Sequence, residues 1–223
     1  MSLQKKRLIA YIFWLLIILS GPVTVLLNTP MELISTNNLV LLNVFQRMTG
    51  LLAFSLIFIQ ILLGSFMLKW VQILGARAYK AHVTQGLLAY GFILIHPIFY
   101  YVITYEVVGK IVLIPDFTIK SEYWISFGRV AFALATIAVF AGYFRTRPFF
   151  RRNWRAFHIL NYLVFILIAF HSRNVGSDIA SFPFVITYWL GVSVVTVSIL
   201  YRTVYPKIAL FISSQKASEV KQG

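Results

Sequence analysis

Cysteine is missing from all 223 residues of this chain. Its absence excludes disulfides, thiolate zinc sites and iron–sulfur clusters, and leaves the compartment open. Acidic residues are scarce: six Asp and Glu stand against twenty Lys and Arg. Charged residues of either sign make up 12% of the chain, and there are four histidines. No Gly-x-Gly-x-x-Gly loop is present, so the chain has no such motif for cradling a dinucleotide pyrophosphate. No internal repeat or low-complexity segment stands out.

What is abundant is apolar sequence. Hydrophobic residues make up 60% of the chain and mean hydropathy is +0.82, against about 45–50% apolar in ordinary globular chains. Several runs approach the roughly 20 apolar residues that cross a hydrocarbon core. Six spans are predicted, at 8–27, 46–68, 82–105, 124–144, 157–174 and 183–203. Kinks are expected at Gly21-Pro22 and at Pro97. The expected fold class is an all-α integral membrane protein, a six-transmembrane-helix bundle with both termini cytoplasmic. Residues 1–204 form the membrane domain and 205–223 a cytoplasmic tail, with a disordered end around 213–218. The basic N-terminus followed by a long apolar run, with no small-x-small site after it, reads as a signal anchor.

Charge supports this topology. With the N-terminus inside, Lys5, Lys6, Arg7, Lys69, Arg77, Lys80, Arg145, Arg147, Arg151, Arg152, Arg155, Arg202, Lys207, Lys216 and Lys221 lie on the inner side, with Glu219 as the one acid. The outer side holds Arg47, Lys110, Lys120, Arg129 and Arg173, balanced by Glu32, Glu106, Asp116, Glu122 and Asp178. The inner side therefore carries the whole formal charge of +14, as the positive-inside rule requires. Anionic membrane lipid is one partner for that charge. An acidic electron donor is another, with the loop 145–155 as its docking candidate. Nucleic acid is excluded, because the basic residues sit at membrane edges and no nucleic-acid motif accompanies them. The outer loops, longest at 28–43 and 105–123, are too short to form a substrate-binding domain.

The four histidines occur in two spans. His82 and His96 are 14 positions apart on the third, and His158 and His171 are 13 apart on the fifth. These offsets correspond to roughly 21 Å and 20 Å along a helix axis. Both spans run from inside to outside, so His82 pairs with His158 and His96 with His171. Ionisable residues inside a span are costly and functional by default. Two facing imidazoles supply both axial ligands of a low-spin haem, which changes oxidation state with little movement. Two pairs at matched heights thus predict two haems per chain, stacked across the bilayer. One point does not close on an ideal helix. At about 100° per residue, an offset of 14 returns to within about 40° of its start, but an offset of 13 lands about 140° away. A local tightening, a bend or different imidazole rotamers must compensate, and non-ideal helix geometry is expected between 158 and 171.

Neighbouring residues fit a haem site. Gly86 and Gly91 let a flat macrocycle or another backbone approach closely. Arg77, Lys80 and Arg155 flank the inner pair and Arg47, Arg129 and Arg173 the outer pair, as partners for propionates, with Arg47 favoured on the outer side. Tyr90, Tyr100, Tyr101 and Tyr162 read as interfacial or core residues rather than redox relays. A proton relay or ion-coupled transporter would place Asp or Glu within a span, and none is predicted there. A zinc site would need more ligands than each pair offers.

At these residues the chain resembles the ferric-reductase-like transmembrane domain superfamily. Ferric reductases, NADPH oxidases and the haem-binding membrane subunits of methionine sulfoxide reductase systems share this histidine spacing. The resemblance spans about residues 40–203 and is closest to the sulfoxide reductase subunit in Trp154-Arg155-Ala-Phe-His158-Ile-Leu-Asn161-Tyr162. It implies a six-helix, b-haem bundle that passes electrons from the cytoplasmic side outward. The larger members continue into flavin and nicotinamide domains, and residues after 204 are too few to form either. The expectation is an oxidoreductase component that does not oxidise NADPH alone. Its donor is a separate flavoprotein reductase, carrying FMN or FAD, or a quinol. Its acceptor is ferric iron, oxygen or a periplasmic protein, and its location a bacterial inner membrane. The alternative is a haem-binding anchor subunit of a larger reductase, without a substrate of its own.

Overall fold

The computed structural model describes residues 1–204. The predicted tail, 205–223, lies outside the described residues. Eight helices follow in order: α1 Leu3–Leu27, α2 Met31–Thr36, α3 Asn38–Ser65, α4 Met67–Leu74, α5 Arg77–Val108, α6 Lys120–Tyr143, α7 Pro148–Val175 and α8 Phe184–Thr203. The six long ones, α1, α3, α5, α6, α7 and α8, have the length and apolar character of membrane spans. They match the six predicted runs, and the protein is an integral, multi-pass membrane protein.

The helices reach further than the apolar runs. Hydropathy marks the part of a helix that sits in hydrocarbon, whereas the backbone ladder continues into polar turns beyond it. α7 begins at Pro148, whose fixed φ suits the first helical position, so Arg151, Arg152 and Arg155 lie on a helix rather than in a loop. α6 begins at Lys120, which puts Glu122 in its first turn. α3 begins where the Asn37 side chain accepts the amides of Leu39 and Val40, at 2.9 and 3.3 Å. Pro22 and Pro97 lie inside α1 and α5, and neither ends its helix. α7 runs through His158 and His171 as unbroken α-helix, with no 3₁₀ or π segment between them. The expected irregularity is therefore not one of helix type.

α3 is the central element. Phe54 and Phe58 on α3, Phe165 on α7, and Phe184 and Tyr188 on α8 form the buried aromatic centre. The Phe54 ring lies 5.1 Å from Phe165 and 5.5 Å from Tyr188. Elsewhere the bundle is made of two extensive helix pairings, α3 with α5 and α6 with α7. The second is a small-residue seam: Ala131, Ala135, Ala138 and Ala141 on α6 are all buried. Ala131 and Ala135 pack against Val164 of α7, since small side chains let membrane helices approach closely. α5 and α7 do not form a close pair of this kind.

Side-chain contacts fix the two ends. On one face, Arg7 Nε donates to the Ile73 carbonyl at 2.7 Å, and Arg202 donates to the Ser65 carbonyl at 2.6 Å. This face holds the N-terminus, α4 and the α6–α7 connection. On the other face Asn28, Thr29, Arg47 and Asp178 join α1, α3 and the α7–α8 connection. All five described acids lie toward this second face, so the first is a basic face.

Candidate functional site

The four histidines meet in two tiers between α5 and α7. The His82 and His158 rings are 5.9 Å apart centre to centre, and their planes cross at 74°. The His96 and His171 rings are 6.4 Å apart and cross at 80°. The expected partners are therefore the observed ones, and α5 and α7 run parallel. The 13-residue offset is absorbed without a break in α7, where the two imidazoles have different local partners.

The tier farther from the basic face is tightly specified. His96 Nδ1 lies 2.9 Å from the Gln46 carbonyl on α3, and His171 Nδ1 lies 2.9 Å from the Trp124 carbonyl on α6. A carbonyl only accepts, so each Nδ1 carries the hydrogen and each Nε2 keeps its lone pair. That is how metal-ligating histidines are oriented: one ring nitrogen bonds to the protein and the other binds the metal. The tier nearer the basic face is held differently. His82 Nδ1 is buried with no hydrogen-bond partner, although its backbone carbonyl accepts Gln60 Nε2 at 2.7 Å. His158 Nδ1 stands 3.4 Å from Asn161 Nδ2.

The arginines divide into three kinds. Arg47 directs Nε to Asp178 Oδ2 at 2.6 Å and Nη2 to Oδ1, while Nη1 reaches Thr29 Oγ1 at 3.0 Å. This guanidinium, favoured from sequence as a propionate partner, is a structural tie between α3 and a buried carboxylate. Arg129 is buried beside the outer tier, one residue after Gly128, which abuts His171. Its Nη2 lies 2.6 Å from Glu122 Oε2. Its Nη1 is buried and has no hydrogen-bond partner. Arg77 and Arg173 are exposed near the ends of α5 and α7, and Arg155 is exposed about two turns into α7.

Tyr90, Tyr101 and Tyr162 make side-chain hydrogen bonds, with Tyr101 OH accepting from Arg129 Nε at 3.4 Å. Tyr162 OH and Ser65 Oγ share a hydrogen bond of 2.7 Å, and Tyr90 OH donates to Thr136 at 3.1 Å. Gly86 faces Gln60 on α3, where an added Cβ would stand 3.3 Å from Nε2, whereas a Cβ on Gly91 would meet nothing within 4 Å. Two glycines missed by sequence reasoning lie against the outer histidines: Gly50 on α3 and Gly128 on α6. Glu122, expected in a loop, was missed as the partner of Arg129.

Fold and site together define a class: a six-span membrane bundle organised around two stacked histidine pairs. Residues 49–169 match the family described as ferric reductase like transmembrane component, and the chain belongs to that family. The match holds His82, His96 and His158, and His171 lies just past its end. No curated protein and no solved structure matches the chain. Membership makes the protein a component of transmembrane electron transfer and of an oxidoreductase system.

The family typically binds haem, and the residues fit that group. In each tier two imidazoles stand together, 5.9 or 6.4 Å apart between ring centres, and in the outer tier the bonded Nδ1 atoms leave both Nε2 lone pairs for a metal. Among the described residues no three His, Asp or Glu converge on one point. Each tier offers two nitrogens, which suits a macrocycle that supplies the other four ligands itself.

Proposed function

We propose that this chain carries electrons across a membrane through two stacked bis-histidine b-type haems. They pass from a cytoplasmic donor, a separate flavoprotein reductase or a quinol, to an outer acceptor such as ferric iron, oxygen or a periplasmic protein. The observation that carries this reading is the pair of imidazole spacings, 5.9 and 6.4 Å, on parallel helices. A bound haem would supply a one-electron carrier, held by the two imidazoles of its tier.

The chain's own residues supply position, tautomer and charge. His82 and His158 hold the inner tier and His96 and His171 the outer. The Gln46 and Trp124 carbonyls fix the outer Nε2 atoms toward the space between α5 and α7. Arg129, with a buried and unpartnered Nη1, is the best placed outer donor for a propionate, and Arg47 braces the end of the bundle from which it projects. Arg173 lies at the outer end of α7, and Arg77 and Arg155 stand beside the inner tier. Lipid covers the apolar flanks. The basic face is cytoplasmic by the charge rule, and a bacterial inner membrane fits this arrangement.

A second reading is a haem-binding anchor subunit that relays electrons only within a complex. The exposed cations around the α6–α7 connection favour it, because they offer a docking surface rather than a substrate pocket.

Haem content tests the proposal. The detergent-purified protein is expected to hold about two b-type haems per chain with low-spin reduced bands, read by pyridine haemochrome and by oxidised and reduced spectra. His82→Ala or His158→Ala should remove the inner haem, and His96→Ala or His171→Ala the outer. Full haem content in all four variants would overturn the ligand assignment. Activity only in the presence of a co-purifying partner would select the anchor reading.

A further inference from the structure

Four glycines on the two flanking helices carry the 14-residue spacing of His82 and His96. Gly50 and Gly64 on α3 are 14 positions apart, and so are Gly128 and Gly142 on α6. The outer members of these pairs touch the outer ligands. A Cβ at Gly50 would stand 2.8 Å from His96 Cε1 and 2.9 Å from Nδ1. A Cβ at Gly128 would stand 2.9 Å from both His171 Cε1 and His171 Nδ1. Neither position has room for it unless the imidazole moves.

The reason is visible in the backbone. Each outer imidazole bonds the carbonyl of the residue four positions before its glycine: Gln46 before Gly50, and Trp124 before Gly128. In an α-helix the carbonyl of residue i points at the amide of residue i+4. A ring that reaches that carbonyl from outside must therefore lie across residue i+4, where a side chain would stand. Glycine at i+4 opens the approach. The same device occurs twice, on two helices, one for each ligand of the outer pair.

At the inner tier the glycines keep their register but not their contact. A Cβ at Gly64 would lie 3.5 Å from His82 Cε1, an ordinary van der Waals distance, and one at Gly142 would meet nothing within 4 Å. His82 Nδ1 has no carbonyl partner.

We infer that Gly50 and Gly128 are positioning residues: each seats one outer histidine on a helix carbonyl, so the outer tier is a preformed haem site and the inner tier a looser one. The inference rests on the bis-histidine reading and adds an inequality between the tiers. Loss of a ligating histidine's hydrogen-bond partner typically weakens metal binding 10–100-fold. A methyl group at Gly50 or Gly128 displaces the ring from its carbonyl and should weaken haem retention at the outer tier by roughly that factor.

The test compares Gly50→Ala and Gly128→Ala with Gly64→Ala and Gly142→Ala. Haem per chain is measured together with the low-spin electron paramagnetic resonance signals, assigned to tiers with His82→Ala and His96→Ala. Gly50→Ala and Gly128→Ala should lose or shift the outer signal and keep the inner one, which also reports a folded bundle. Gly64→Ala and Gly142→Ala should keep both. If neither outer variant accumulates, graded haem extraction from the unaltered protein decides, and the inner signal should disappear first. Two haems in the unaltered protein with all four glycine variants alike, or earlier loss of the outer signal on extraction, would overturn the inference and leave the bis-histidine reading intact. No haem in the unaltered protein would overturn both.

Discussion

Asp178 is the most deeply buried acid in the bundle, with its side chain 3% exposed, and it faces an Arg47 side chain that is 19% exposed. A pair of this kind contributes little net stability over a well-packed apolar pair, but removing one member leaves a buried charge without its partner, at a typical cost of about 3–5 kcal/mol. Asp178→Ala should fall near the lower end of that range, because the Arg47 side chain is only partly buried. The double variant Arg47→Met with Asp178→Leu should recover part of the loss. Thermal unfolding in detergent reads both, and an Asp178→Ala melting point equal to the unaltered protein's would refute the tie. Sequence could not reveal this role. Arg47 was legible as a cation at the mouth of an apolar run, but its partner lies 131 positions away. The histidine pairing was legible for the opposite reason, because matched offsets on two parallel helices leave one way to pair them. The glycine seats lie on the neighbouring helices rather than on the histidines' own, each 14 positions before a second glycine.

At the scale of elements, the six spans were readable because hydrocarbon imposes a length and a composition on anything that crosses it. Their ends were not, because capping and turn contacts decide them. The connection from α5 to α6 shows this. Asp116 Oδ1 accepts the Thr118 amide at 2.8 Å and its hydroxyl at 2.6 Å, and Ser126 on α6 bonds both the amide and the carbonyl of Asp116. The Thr118 side chain and amide hold the Asp116 carboxyl below its usual range. A carboxylate with a depressed folded-state pKa stabilises the fold above its unfolded value and loses that contribution as pH falls through the folded one. The turn should therefore stay ordered through the ordinary carboxylate range and loosen below it. Amide exchange at Thr118 and Ile119, followed against pH, reads the change. Asp116→Ala should give fast exchange at every pH, and a loop that loosens at the same pH in both proteins would remove Asp116 from the account.

For the molecule as a whole, charge is sorted by face more sharply than by sequence. Lys69, Arg77, Lys80, Arg145, Arg147, Arg151 and Arg152 are exposed on the face that carries the inner histidine tier, and all described acids lie toward the other. Arg77 precedes His82 by five positions and Arg151 precedes His158 by seven, so these cations surround the end of the bundle nearest that tier. Fields of one sign around an entry point speed the encounter with a partner of the opposite sign, and salt weakens them, with a Debye length of about 8 Å at physiological ionic strength. An acidic flavoprotein donor should therefore reduce the protein in a salt-dependent reaction. Arg151→Glu combined with Arg152→Glu should slow the bimolecular rate roughly tenfold or more at low salt and change it little at high salt. Stopped-flow reduction at several ionic strengths measures this directly. A quinol donor reaches the inner tier through lipid and carries no such charge, so rates that ignore both salt and the double charge reversal would assign the donor to the membrane phase. A salt-dependent rate left unchanged by the double variant would move docking from the α6–α7 connection to the α4–α5 side, where Lys69, Arg77 and Lys80 provide the remaining positive charge.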